Sequence, residues 1–213
     1  MKEVKTSHSE NARSIVRNKI SSENCRLTIY KALAEANQVP FFIQKSITIK
    51  LLKDCKETIP QLAEWMYDQW KSYDASLTLE KMIESFKERL NNDRIPFVVV
   101  AFINHQPIGM IGLKEKGAKE LTNVCPSNTP WIGALFVTKN QRRKGIAGHL
   151  LKFIISLAKK LGHQEVFVYT SDDSNVKWYT DRGTTIVKDH YPFRKHKITL
   201  MKFSFPYPCA SVS

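Results

Sequence analysis

The chain has 213 residues, a length that suits one domain of ordinary size with an appendage. Hydrophobic residues make up 42% and charged residues 25%, as in folded proteins, and no apolar stretch approaches the roughly 20 residues that cross a bilayer, so we expect no membrane span. The formal net charge of +13 favours an anionic partner, such as nucleic acid, acidic lipid or a phosphorylated cofactor.

Residues 1–45 differ from the rest of the chain because they are polar and basic. We expect an N-terminal arm, 1–45, that is partly disordered or helical, with a short helix over Leu27–Ala36 that Pro40 ends. The arm lacks the continuous apolar core of a secretory signal, so we expect a cytoplasmic protein. The four cysteines are widely scattered and lack metal-ligand spacing, which indicates reduced thiols and no metal site.

From residue 46 onward, the spacing of apolar residues predicts one mixed α/β domain, 46–204, followed by a tail, 205–213. The predicted elements, in chain order, are a strand around Ile47–Leu51, helices over Ile59–Tyr73 and Leu79–Leu90, a hairpin of Phe97–Ile103 and Pro107–Leu113, a strand over Trp131–Val137, a helix over Gly145–Leu161, a strand over Val166–Tyr169, a helix over Asn175–Asp181, and strands over Thr185–Val187 and Lys197–Phe203. Gly133 interrupts its strand, which is typical of a bulge or of a close approach by a ligand.

A basic turn joins the strand that ends at Val137 to the long helix that begins near Gly145. Its three cations, residues 142–144, oppose the dipole of the helix, whose first turn has unpaired N–H groups. Cations at this position make sense if a polyanion binds there, and Gly145 would let the ligand approach the backbone. The alternative is an ordinary solvated start of a helix.

Residues 137–147, VTKNQRRKGIA, resemble the acyl-CoA signature of the GNAT superfamily of N-acetyltransferases, [Q/R]-x-x-G-x-[G/A] after a strand that ends in valine. Arg142, Gly145 and Ala147 occupy the three defined positions, and Lys139 stands where the family often has proline. The segments VFVYT and NVKWYTDRG follow in the order that the family shows. The resemblance covers about residues 46–204.

The resemblance implies a GNAT-like fold, a central, mostly antiparallel, splayed sheet of six to seven strands flanked by about four helices. It also implies that acetyl-CoA lies in the gap between the strand over Trp131–Val137 and the strand over Val166–Tyr169. The residues that the resemblance assigns to the acetyl-CoA site are Leu135, Phe136, Val137, Arg142, Arg143, Lys144, Gly145, Ile146, Ala147, Gly148, Asp172 and Asn175. Asp172 and Asn175 are also candidates for capping the next helix.

Tyr179 matches the tyrosine of the family's Y-x-x-x-G motif, with Gly183 four residues later. The resemblance implies that its hydroxyl lies near the cofactor sulfur, where it would protonate the departing thiolate. The alternative is a packed aromatic residue. The general base stays open, because the strand over Trp131–Val137 has no carboxylate. The candidates are Glu115, Glu120, His190 and ordered water.

We therefore expect an acetyl-CoA-dependent N-acetyltransferase that acetylates a primary amine of a small molecule or peptide by direct attack in a ternary complex. The aromatic residues Trp65, Tyr67, Trp70 and Tyr73 are candidates for contacting that amine. The alternative is that they pack in the core. An inactive acetyl-CoA-binding regulatory or interaction module is the alternative. We do not expect nucleic acid as the primary partner or a membrane partner, and a homodimer is compatible with the sequence.

Overall fold

The computed structural model describes residues 22–38, 47–121, 123–125 and 129–205. The predicted tail beyond residue 205, residues 1–21 of the predicted arm, and Pro40 lie outside the described residues. The described part forms five α-helices and seven strands. Their bounds are α1 Ser22–Gln38, β1 Thr48–Leu51, α2 Ile59–Trp70, α3 Leu79–Lys87, β2 Phe97–Ile103, β3 Gln106–Lys114, β4 Trp131–Val137, α4 Ile146–Lys160, β5 Glu165–Thr170, α5 Asp173–Thr180, β6 Thr185–Phe193 and β7 His196–Ser204.

The seven strands form one open sheet in the order β1-β2-β3-β4-β5-β7-β6. Neighbouring strands are antiparallel except β4 and β5, which run parallel in the middle of the sheet. The predicted fold class, a mixed α/β domain with an open and mostly antiparallel sheet, is confirmed. The described helices number five, where the resemblance implied about four.

Helices cover both faces of the sheet, so each face has its own apolar core. One core packs α1, α4 and Tyr179 of α5 against alternate residues of the strands, including Val99, Val166 and Val168. The other core packs α2 and Phe86 of α3 against the opposite residues, such as Val98. The strand β2 reads FVVVAFI and is buried on both faces, which explains its continuous apolar sequence.

Helix α1 packs on the domain although it belongs to the predicted arm. Its residues Ile29, Ala32 and Leu33 are buried in the core of the first face. An ion pair between Glu35 and Lys160 of α4, at 2.5 Å, joins the two helices at the surface. The predicted helix over Leu27–Ala36 is therefore present and longer, while the domain boundary at residue 46 stays a prediction.

Strand β6 is longer than predicted, since it runs from Thr185 to Phe193 where the sequence indicated a strand over Thr185–Val187. Most of its residues are exposed because it is the edge strand, so the apolar alternation that reveals a strand is missing. Its pairing with β7 is irregular around Lys188, and His190 adopts a left-handed conformation with φ 49°. The extent of this strand is therefore set by its pairing with β7, and the local spacing of apolar residues does not reveal it.

We expect Leu150→Ala to lower the free energy of unfolding by about 2–5 kcal/mol. Leu150 is fully buried on α4 and packs beside Gly109 of β3, so truncation leaves a cavity under the helix. Chemical denaturation would measure the loss. Ser156→Ala on the exposed side of α4 is the control, and an equal effect of both variants would contradict this account of how α4 is held on the sheet.

Candidate active site

The sheet opens between β4 and β5. These parallel strands share one Cα pair, Trp131 with Phe167, at the beginning of β4. Beyond this pair the two strands diverge, and residues 133–136 of β4 are half-buried, in contrast to the fully buried run of β2. Backbone groups on that edge of β4 face a gap and not a neighbouring strand. Such groups need a hydrogen-bonding partner, which an extended ligand can supply.

A bulge lies in β4 at the middle of this gap. Gly112 pairs with Gly133 and Met110 with Phe136, so the single residue of β3 between these pairs faces two residues of β4. Ala134, one of the two, has φ 54°, a left-handed conformation that non-glycine residues rarely adopt. The sequence indicated a bulge through Gly133, whereas the strained residue is the next one. The bulge therefore adds one residue to β4 beside the gap and bends the strand there.

The turn after β4 brings a helix N-terminus to the mouth of the same gap. Arg143 has φ 62° and Gly145 φ 79°, and Gly145 is the N-cap of α4 without any side-chain cap. The first N–H groups of α4, from Ile146 to Gly148, thus lie at an exposed end that carries the positive end of the helix dipole. Alternating left-handed residues also turn successive N–H groups to one side, an arrangement that binds anions.

The three cations of the turn do different things. Arg142 donates from Nε to the carbonyl of Val137 at 3.0 Å and lies over the ring of Phe136, so it ties the turn to the end of β4. Lys144 donates to the carbonyl of Asn140 at 2.9 Å and to the side chain of Gln141. Arg143 is exposed, and among the described residues its guanidinium has no hydrogen-bond partner. Two of the three cations therefore shape the turn, and Arg143 is available to a ligand.

Tyr179 lies on α5 and is 7% exposed. Its ring packs edge-on against Trp178, with the two centroids 4.9 Å apart. Burial raises the pKa of the Tyr179 phenol above its ordinary value, so the hydroxyl stays protonated at neutral pH. A buried, protonated phenol can donate a proton or a hydrogen bond.

Asp172 and Asn175 lie at the start of α5, beside the open end of β5. Asp172 caps the helix, since its carboxylate accepts from the N–H of Ser174 at 2.8 Å and from the Ser174 hydroxyl. These bonds lower the pKa of Asp172. Asn175 is exposed. The capping alternative thus holds for Asp172, and a contact of either residue with a ligand stays a prediction.

The candidates for a general base do not meet in the gap. Arg194 binds the carboxylate of Glu120 at 3.2 Å. His190 lies on β6, which β5 and β7 separate from β4, and its ring contacts Asp189. Glu115 is an exposed residue just after β3. The general base, whether one of these side chains or ordered water, stays a prediction.

The face of β4 that points away from α4 is covered by α2 and α3. Trp65 of α2 stacks on Phe136 with centroids 5.0 Å apart, which joins the helix to the strand beside the gap. Trp70 and Tyr73 contact each other farther along and are both 41% exposed. Trp65 therefore lies beside the bulge, whereas Trp70 and Tyr73 form a separate, partly exposed aromatic pair.

Two cations on this side escaped the sequence analysis. Lys114, at the end of β3, extends its side chain across Gly133, since a Cβ on Gly133 would lie 2.6 Å from its Cε. Burial first, and the nearby Arg89 second, lower the pKa of Lys114 to about 8. Burial also lowers the pKa of Arg89. A lysine that ends a strand is usually solvated. Here Lys114 pairs with Trp131, and its side chain passes over the diagonal neighbour Gly133, which has no side chain to block it.

No helix in ranges 22–38, 47–121, 123–125 and 129–205 is long and apolar enough to cross a membrane. The same ranges contain no group of three or more histidine, cysteine or acidic side chains that could hold a metal ion.

Comparison with known proteins identifies the family. The family description "Acetyltransferase (GNAT) family" matches residues 59–183, which is more than half of the chain. No curated relative matches the sequence.

Solved structures share the fold at low sequence identity. An acetyltransferase from Streptococcus agalactiae is 14% identical with a TM-score of 0.58, over 76% of this chain and 100% of its own. A GNAT family acetyltransferase from Elizabethkingia anophelis with acetyl-CoA bound is 18% identical with a TM-score of 0.52, over 75% of this chain and 98% of its own. An acetyltransferase of the GNAT family from Streptococcus pneumoniae is 15% identical with a TM-score of 0.56, over 75% of this chain and 99% of its own.

Proposed function

Because this chain belongs to the GNAT family of acetyltransferases, we propose that it transfers an acetyl group from acetyl-CoA to a primary amine of a small molecule or peptide. The observation that carries the proposal is the continuous path from the open edge of β4 to the uncapped N-terminus of α4. An extended chain that ends in a pyrophosphate matches this path, because the strand edge offers backbone partners and the helix end favours an anion.

The residues present fit acetyl-CoA. Backbone groups of Leu135, Phe136 and Val137 would hydrogen-bond the pantetheine arm in the gap, and the N–H groups of Gly145 to Gly148 would bind the pyrophosphate. Arg143 would add a direct charge to the phosphates. Bound there, acetyl-CoA supplies an acetyl group activated as a thioester. The side chains of Arg142 and Lys144 would hold the turn in its anion-binding conformation through the carbonyls that they bind.

Tyr179 would act as the general acid. The amine nitrogen would form a bond to the acetyl carbon as the carbon–sulfur bond breaks, and the phenol would give its proton to the departing sulfur. The amine would lose its own proton to an ordered water molecule. A proton from the solvent would then restore the phenol of Tyr179. Burial keeps the phenol of Tyr179 protonated at neutral pH by raising its pKa. Because a thiolate is a weaker base than this phenolate, the phenol would stabilise the developing thiolate by a hydrogen bond, and its proton would transfer together with the loss of the amine proton.

A second candidate is an acetyl-CoA-binding regulatory or interaction module without turnover. One observation favours it: β4 reads WIGALFV and contains no ionisable side chain that could act as a base in the gap. Binding of acetyl-CoA alone does not distinguish the two candidates, whereas release of free thiol does.

The test is release of free thiol from acetyl-CoA, followed with a thiol reagent, across a panel of small primary amines, amino acids and short peptides. We expect at least one amine to accelerate release over the amine-free rate, with one acetamide product per thiol by mass spectrometry. Binding of acetyl-CoA without accelerated release by any amine would instead support the regulatory module.

A further inference from the structure

Two half-buried cations, Lys114 and Arg89, lie together on the α2–α3 side of β4 without a bound carboxylate. The chain brings them together because Leu90 bridges Phe97, whose partner Leu113 directly precedes Lys114. Arg89 donates to the Ser85 hydroxyl at 2.6 Å and lies 5.6 Å from the centre of the Phe86 ring. The Lys114 ammonium has no hydrogen-bond or ion-pair partner among the residues that the structure describes.

This arrangement is unfavourable unless an anion completes it. A buried cation loses hydration, and a second cation beside it adds repulsion. The pKa of Lys114, lowered by both effects, reflects this cost. Apolar residues of similar size would stabilise the fold better, so the pair is best explained by a ligand with negative charge.

The location of Lys114 connects this charge to the proposed reaction. Its stem crosses β4 over Gly133, and its Nζ would lie 3.2 Å from a Cβ at that position. Gly133 directly precedes the bulge at Ala134, which leads into the strand segment proposed to bind the pantetheine arm. The ammonium is thus on the acceptor side of the strand, next to where the acetyl group would be presented.

We propose that the acceptor amine carries a carboxylate and that Lys114 and Arg89 bind this carboxylate, so that the substrate class is the amino acids and related amino-carboxylates. The inference rests on the proposed function, since it concerns the acceptor of the same site. Cations in pairs and forks are the usual partners of carboxylates. The same charges repel polycationic amines, which have no negative group to offer.

The cation pair would also make the acceptor amine easier to deprotonate, although β4 offers no general base. A positive environment disfavours the protonated form of an amine and so lowers its pKa. An amino-carboxylate bound through its carboxylate would present its amine to the acetyl group in a field that favours loss of the proton. Ordered water then suffices to remove it.

The experiment compares free α-, β- and γ-amino acids with their carboxamides in the thiol-release assay. We expect the wild type to prefer the acids, with kcat/KM at least about tenfold above that of the carboxamides. Lys114→Met is expected to lower kcat/KM for the acids by about 10- to 100-fold, the value of a charged hydrogen bond, and to leave the carboxamides nearly unchanged. Lys114→Arg retains the charge and should restore most of the preference.

Two further variants keep the result interpretable. Lys116→Met removes an exposed charge two residues away and should change neither substrate class. Gly133→Ala keeps the Lys114 charge but displaces its stem, because the new methyl group would lie 2.6 Å from Cε, so it should also reduce the preference for acids.

Equal or better use of the carboxamides or of polyamines by the wild type would overturn the proposal, even with acetyl-CoA turnover intact. If no acid is acetylated, calorimetric titration of the CoA-bound protein with the amino acids measures their binding directly. Absence of binding would also overturn the proposed carboxylate site. Failure of the proposed function itself is distinguishable, because it would appear as the absence of accelerated thiol release with every amine tested, the carboxamides and polyamines included.

Discussion

Gly145→Glu is expected to weaken acetyl-CoA binding by at least about 100-fold, which calorimetry would measure. Gly145 has φ 79°, so any side chain there strains the backbone at the N-cap of α4. A carboxylate adds negative charge where we propose that the pyrophosphate binds, and opposed like charges cost several kcal/mol. Strain and repulsion thus act in the same direction.

Gly162→Glu is the matched control for this substitution. Gly162 follows the other end of the same helix with φ 82°, and a Cβ there meets no atom within 4 Å. The two variants therefore share the backbone strain and the added charge, and differ in their distance from the gap. Equal affinity of both variants for acetyl-CoA would contradict the phosphate site at the start of α4.

Tyr179→Phe is expected to lower kcat by about 100-fold, the lower end of what general acid catalysis contributes. The KM for acetyl-CoA should change little, because the ring that packs against Trp178 is retained. Thiol release at saturating substrates would measure the effect. The phenol acts in its protonated form, which is lost only as pH rises through a pKa that burial has raised. The wild type should therefore show no fall in kcat from this group between pH 7 and about 10.

Tyr169→Phe is the control for the loss of a buried phenol. Tyr169 lies on β5, and its ring contacts Trp131 and Phe193 on the other face of the sheet. Burial raises the pKa of Tyr169 too, so the two tyrosines differ mainly in location. If Tyr169→Phe lowers kcat as much as Tyr179→Phe does, the effect comes from the loss of any buried phenol. That result would contradict a role for Tyr179 as the general acid.

The elements that frame the cleft could be predicted from the sequence because their burial is strong and periodic. The continuous apolar run of β2 and the helical register of α4 both follow from packing against a two-sided core. The turn between β4 and α4 was recognisable because glycine and cations at a helix start are physically unusual. The splay between β4 and β5 was implied by the family resemblance, and the single pair between Trp131 and Phe167 agrees with it.

The remaining parts of the site depend on contacts between distant residues. The left-handed conformation falls on Ala134, which has no local preference for it, because the register with β3 requires an extra residue there. Lys114 enters the cleft because its cross-strand neighbours include Gly133, and Arg89 joins it through the bridge of Leu90 to Phe97. No pattern within a short window could reveal either pairing.

Calorimetric titration of the wild-type protein with acetyl-CoA and, in parallel, with acetyl-pantetheine tests the central claim most directly. The two ligands share the thioester and the pantetheine arm, but the second lacks the pyrophosphate and adenosine. We expect one acetyl-CoA bound per chain, and affinity for acetyl-pantetheine at least about tenfold lower, since charged hydrogen bonds at the start of α4 are lost. No binding of acetyl-CoA, or equal affinity for both ligands, would contradict the account.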